Sequence, residues 1–175
     1  MGMTTFSGPV RSLAGFIDQG PGTVFNVPNN TDTLALTVRE HAGKVIRTND
    51  ATLTITLPAI DATPDPVHSG PGANPNTQNN QGVTFTIFIE TTASSVKIGT
   101  NGTDKYVGSL RVGVAGAAAN TYVPGATNDF INLNGTTTGG IAGSIIRITA
   151  LTANKYLVQG NVIASGAVAT PFADS

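Results

Sequence analysis

Residues 82–90, GVTFTIFIE, constrain this chain more than any other stretch. Val83, Phe85, Ile87 and Ile89 alternate with Thr84, Thr86, Phe88 and Glu90. A period of two lines up four apolar side chains on one face of a strand, whereas a helix would scatter them around its circumference. At a rise of roughly 3.3 Å per residue, the stretch is long enough to cross a whole sheet. The shorter apolar runs on either side read as its neighbours.

Taken in order, residues 23–27 and the alternation of Leu34, Leu36 and Val38 read as strands, with Asn29-Asn30-Thr31-Asp32 as a turn between them. The densest charge cluster, Arg39-Glu40-His41, falls at the second strand's end. Residues 44–47 and 52–57 read as the arms of a hairpin turning at Thr48-Asn49-Asp50-Ala51. Leu53, Ile55 and Leu57 form its buried face, and Pro58 ends the second arm because proline cannot donate to a ladder. Residues 95–98 and 105–112 follow, with Asn101-Gly102 as the turn signal between them. Residues 114–126 are small and uncharged, and Gly113, Gly116 and Pro124 argue for irregular structure there. A short strand at 129–133 precedes a hairpin of 144–151 and 155–163, joined by Thr152-Ala153-Asn154, and an extended tail. The expectation is an all-β fold, a β-sandwich or barrel of about ten short strands with long loops and extended termini.

A chain of 175 residues fits one domain, which buries about 70% of its unfolded surface without help from metals or disulfides. Residues 1–22 read as an N-terminal arm with room for one edge strand, and 23–175 as a single β-rich domain. Within it, residues 61–82 form a long Pro-, Asn- and Gly-rich loop: five of the ten prolines fall between Pro58 and Pro75. Loops of this length are usually functional or disordered, and a surface loop or ordered contact arm is expected here.

The residues offer no catalytic constellation. His41 and His68 each lack a partner at metal-ligand spacing, so a solvated or structural role is expected for both, with no metal. No cysteine is present, which removes disulfides, thiolate sites and a cysteine nucleophile together. No GxSxG, GxxxxGK[ST] or strand-linked GxGxxG occurs, so no cofactor is expected. Asp61 and Asp65 flank the proline-rich loop and read as anchors, not as a hydrolytic pair. The chain has no Trp, and Tyr106, Tyr122 and Tyr156 read as half-buried wall positions, which weakens a sugar-binding reading.

Nine basic residues nearly balance ten acidic ones, so nucleic acid is a poor partner. The start, MGMTTFSGPV, lacks a signal-peptide pattern and no apolar run approaches a membrane span. A non-enzymatic protein made in a cytoplasm, with no membrane partner, is expected.

Two stretches carry a resemblance. One is NDFINLNGTTTGG at 128–140, followed by Gly143-Ser144 and a strand; the other is KYLVQGNVIASGAVATPFADS at 155–175. With Thr54-Ile55-Thr56-Leu57-Pro58 and the Gly-Val-Thr-Phe-Thr strand, the ordered set resembles the head decoration (capsid cement) proteins of tailed bacteriophages, of the marine and cyanobacterial phage type. The long 61–82 loop departs from the family pattern, which has a short turn after the Leu-Pro. The resemblance implies a β-rich protomer, often a homotrimer, that sits on the outer capsid surface of the virion after synthesis in the host bacterial cytoplasm. There it clamps subunits of the major capsid protein and stabilises the head. Met3, Phe6, Pro9 and Val10 near one end and Thr170, Pro171 and Phe172 near the other are the candidate capsid or subunit contacts. A tail-fibre or receptor-binding module that recognises a host surface glycan is the alternative, because fibres share the Thr- and Gly-rich β composition.

Overall fold

The computed structural model describes residues 24–62 and 80–175. The described chain is all-β apart from one helical turn. In order come β1 (Val24–Asn26), β2 (Thr33–Ala35), α1 (Val38–His41), β3 (Val45–Thr48), β4 (Thr52–Thr56), β5 (Thr84–Ile89) and β6 (Ser95–Gly99). Then follow β7 (Lys105–Val114), β8 (Asn120–Tyr122), β9 (Phe130–Leu133), β10 (Ile145–Thr152), β11 (Lys155–Ala164) and β12 (Phe172–Ala173).

These strands form two mixed sheets, one of seven strands in the order β1-β3-β5-β10-β11-β7-β8 and one of five in the order β12-β9-β6-β4-β2. Among the described residues, each sheet ends in two edge strands that are unpaired on their outer side.

The first half of the chain winds as a flattened coil. From β1 to β6 successive strands alternate between the two sheets, and each pairs in parallel with the strand two places on. Val24 pairs with Val45 and Thr33 with Thr54, a spacing of 21 residues in both sheets. The third turn takes 41 residues from Val45 to Thr86, and the extra length lies in the proline-rich segment between β4 and β5. Stacking like residues on successive turns builds the core without long-range sequence complementarity, as in other coiled repeats. Phe25, Ile46, Ile87 and Ile146 form one stack across four strands. Leu34, Ile55, Ile98, Ile131 and Phe172 form another across the whole five-stranded sheet.

Antiparallel strands close the coil. β10 pairs with β5 and β9 with β6, while β10 and β11 make the expected hairpin, turning at Asn154 with φ +63°. β11 then runs parallel to β7 over ten residue pairs.

One hydrophobic cluster contains inward residues of both sheets, including Phe85, Ile87, Leu110, Ile148 and Val158 from one and Ile55, Val96 and Ile131 from the other. Two buried tyrosines tie the layers: the Tyr106 hydroxyl donates to the Ile98 carbonyl (3.1 Å), and the Tyr156 hydroxyl to the Pro58 carbonyl (2.6 Å). They are fully buried, not the half-buried wall positions expected, while Tyr122 is half-buried.

Several expectations change. Residues 44–47 and 52–57 are not hairpin arms, because β3 and β4 lie in different sheets and Thr48-Asn49-Asp50-Ala51 crosses between them. The same holds for β6 and β7 around Asn101-Gly102. Alternation fixes which face of a strand is buried but not which strand it pairs with: β3, β4 and β6 find parallel partners one turn away, and β7 pairs in parallel with β11. The strand at Leu34 stops at Ala35, and the charge cluster falls on α1 instead of a strand end. Thr37 caps that turn by accepting the Glu40 N–H through its hydroxyl at 3.3 Å. Strands number twelve among the described residues, against about ten; β8 lies in the segment read as irregular and β12 in the tail read as extended. The edge strand expected within 1–22 lies outside the described residues, as does most of the 61–82 loop.

Candidate functional site

The buried polar groups come first, because unexplained ones mark functional sites. His41 is buried at the end of α1. Its Nδ1 accepts the Thr37 N–H at 3.0 Å. The ring meets Phe25 edge-on, with centroids 4.4 Å apart, and Nε2 has no hydrogen-bond partner among the described residues. Of the two roles expected for it, solvated or structural, His41 has the structural one. Among the described residues no three His, Cys, Asp or Glu side chains gather as metal ligands. His68 and Asp65 lie outside the described residues.

Two buried carboxylates serve as anchors. Asp104 accepts the Ile60 N–H at 3.0 Å, fixing the start of the proline-rich segment. Asp129 accepts from Lys105 Nζ at 2.9 Å and from the Ser175 N–H at 2.8 Å, fixing the C-terminus. Burial pushes the Asp129 pKa up, but the Lys105 and Ser175 hydrogen bonds and the Lys105 charge outweigh it and hold the carboxyl below its ordinary value. At the other end of the loop, Asn80 joins its two arms. Its Oδ1 accepts the Asp61 N–H (2.8 Å), its N–H donates to the Asp61 carbonyl (2.9 Å), and its Nδ2 donates to the Ala59 carbonyl (2.8 Å). Asp61 is thus an anchor at the loop mouth.

The stretch 128–140 is a clasp. Asn134 Oδ1 accepts backbone N–H groups from Thr136 (2.9 Å), Thr137 (2.8 Å) and Thr138 (3.1 Å). Gly135 N–H closes the loop on the Gly139 carbonyl at 2.7 Å. A Cβ on Gly139 would stand 2.5 Å from Val162 Cγ2, so the loop lies directly against β11. With its amide used in this way, Asn134 serves the fold and offers no free handle for a ligand.

Of the candidate contacts, Met3, Phe6, Pro9 and Val10 lie outside the described residues. Thr170 is exposed, whereas Pro171 and Phe172 are buried. The Pro171 carbonyl accepts the Asn132 N–H at 2.8 Å, and the Phe172 ring packs on Tyr106 with centroids 6.4 Å apart. The structure therefore brings Pro171 and Phe172 into the chain's own core and does not group them with a surface.

A shallow hollow of about 420 Å³ lies beside β7, lined by Tyr106, Val107, Val123 and Pro124 among others. Its rim carries Lys105 and Lys155, register neighbours on β7 and β11, and Lys105 is already paired to Asp129. It offers no acid–base pair.

The surface that stands out is the outer face of the seven-stranded sheet. One row crosses all seven strands: Asn26, Arg47, Phe88, Ile145, Asn161, Arg111 and Thr121 are successive register neighbours. The adjacent row carries Val24, Val45, Thr86, Arg147, Gln159 and Ser109. Of the six exposed large apolar residues among the described residues, four project from this sheet at alternate positions: Val24, Ile145, Leu151 and Ile163, each between 36% and 45% exposed. Arg47 is held by a bidentate pair with Glu90 and by Asn26 Oδ1 at 3.2 Å. Sequence reasoning missed this face, although the signal was present in outward-phased arginines on strands it had identified. Comparison with protein-family models, with curated proteins and with solved structures finds no match to this chain.

Proposed function

We propose that the chain is a non-enzymatic structural protein of a bacteriophage head, one that binds the outer capsid surface and clamps major capsid subunits. The reading takes the two sheets as a sandwich packed face to face, assembled as a symmetric homotrimer on the shell. One observation carries it beyond the sequence resemblance: a whole sheet face spans seven strands with exposed apolar and arginine side chains and no described element over it. Exposed apolar groups gathered on one face mark interaction surfaces more often than chance placement does. A protein that binds the assembled shell and not loose subunits stabilises the shell by mass action. Symmetry repeats each contact around an axis and multiplies weak contacts into avidity.

The test adds purified protein to heads that lack it and follows head melting by calorimetry, with light scattering to fix the oligomer. A trimer that saturates the heads at many copies and raises their melting temperature is the expected result. A protein that leaves heads untouched but adheres to host cells would move the assignment to a tail fibre. Removing residues 1–10 is expected to abolish head binding while preserving the fold, and unchanged binding would exclude that segment as a contact.

A further inference from the structure

Resting on the reading that the protein works by binding, we infer that the outer face of the seven-stranded sheet docks a protein surface carrying carboxylates around an apolar centre. Arg111 and Arg147 supply the charge contacts, and Phe88, Ile145 and Ile163 the apolar ones.

Charge segregation is the first argument. The seven strands of this sheet contain five basic residues, Arg47, Lys105, Arg111, Arg147 and Lys155, and no acid, although the whole chain has a net charge of −1. Two of the five are already neutralised, Arg47 by Glu90 and Lys105 by Asp129. Arg111 and Arg147 are exposed and form no ion pair among the described residues. Guanidinium groups are weakly hydrated and bind carboxylates through two parallel hydrogen bonds, so they lose less than ammonium groups on entering an interface.

Arrangement is the second argument. In the row that crosses the sheet, Arg47 and Arg111 flank Phe88, Ile145 and Asn161, and Arg147 lies in the row beside Ile145. At about 4.8 Å between strands, Arg47 and Arg111 stand roughly 19 Å apart. Arg111 at one side and Arg147 on the central strand thus place unpaired cations next to the apolar side chains, the mixed make-up of a protein interface. Nucleic acid fits less well, because a phosphate backbone calls for cations along its track, and here apolar side chains hold the centre. Two adjacent rows over seven strands cover on the order of 500 Å² at these spacings, below the ~800 Å² per partner of a stable single-site complex. Occupancy therefore depends on several copies engaging together.

The test uses the full chain with two variants, Arg111→Gln/Arg147→Gln and Ile145→Ser, both at exposed positions and both checked for an unchanged melting temperature. Co-sedimentation with undecorated heads is measured alongside retention on immobilised poly-L-glutamate and on single-stranded DNA. The arginine double variant is expected to bind heads about tenfold more weakly at low salt, with a flatter salt dependence. Ile145→Ser is expected to weaken head binding about fivefold with the salt dependence unchanged. Heads that bind wild type and both variants equally would overturn this inference and leave the head assignment standing. If wild type ignores heads, the assignment falls and poly-L-glutamate decides the face: retention lost in the double variant supports it, and equal retention overturns it. Stronger retention on DNA than on poly-L-glutamate, or a self-associated state that dissociates in the double variant, would also overturn it by naming a different occupant.

Discussion

Gly108 and Gly113 lie five residues apart on β7 and make a matched pair of perturbations. Gly108 has φ +105°, a region that favours glycine, and a Cβ there would stand 2.3 Å from the Val158 carbonyl oxygen and 2.9 Å from Leu157 Cδ1. The carbonyl belongs to its register neighbour on β11, so relief requires the two longest strands of the structure to move apart. Holding an alanine in the left-handed region costs roughly 1–2 kcal/mol. Forcing a packed backbone to shift adds about 1–3 kcal/mol. Gly108→Ala is therefore expected to destabilise by about 3 kcal/mol, or roughly 6–12 °C in melting temperature for a domain of this size. Gly113 has no such φ, and its Cβ would meet only Ala119 Cβ at 3.7 Å, an ordinary contact. Gly113→Ala is expected to change stability by less than about 1 kcal/mol, with stabilisation from a less flexible unfolded chain. Urea titration followed by circular dichroism measures both. Equal losses for the two variants, or a negligible loss for Gly108→Ala, would refute the parallel β7–β11 register.

Asn134→Ala removes an acceptor used by three backbone N–H groups and is expected to cost about 2 kcal/mol, read from the same urea titrations. Burial, then the Asp104 charge, raise the Tyr156 pKa above the ordinary value near 10, so its contribution is complete below about pH 10 and lost as pH rises. Tyr156→Phe, which orphans the Pro58 carbonyl, is expected to lower stability at neutral pH and to flatten the loss above pH 10 seen by alkaline titration. The Asp129 carboxyl is held below its ordinary value, so its contribution is complete above about pH 4 and lost as pH falls further. Asp129→Asn should remove part of the acid sensitivity, measured as melting temperature between pH 2 and 5.

What was legible in the sequence was local. The alternation in 82–90 fixed which side chains of β5 face the core, and Phe85, Ile87 and Ile89 are fully buried there. The β10–β11 hairpin was legible because a three-residue turn joins two long alternating runs whose nearest partner in sequence is also the nearest in space. The β3–β4 and β6–β7 connections misled for the same reason. A turn that crosses between sheets uses the same Asn, Asp and Gly residues as one that folds a strand back, and alternation survives either choice. The 21-residue spacing of Val24–Val45 and Thr33–Thr54 was the available clue to parallel pairing, and the long insertion before β5 hid it by stretching the next turn. Burial of His41 was not legible, because it depends on a one-turn helix folding its ring under Phe25.

The residues that carry the phage resemblance have a common property in the structure. Asn134 ties the clasp; Gly139 and Gly140 let it lie against Val162 and Leu133; Gly160 lets β11 approach the Ile145 carbonyl, where a Cβ would stand at 2.4 Å. Pro58 receives the Tyr156 hydroxyl, and Phe172 caps the aliphatic stack of the five-stranded sheet. Each of these solves a problem of closing two sheets around one core, so such a motif set reports how a chain folds and is silent about what it touches. The side chains proposed to make contact, Arg111, Arg147 and Ile145, point away from that core at positions where many residues preserve the fold. Substitutions in the motifs should therefore change stability at constant intrinsic affinity, and substitutions on the outer face should do the reverse. A variant set that mixed the two effects would mean that binding is built from the same residues that close the fold.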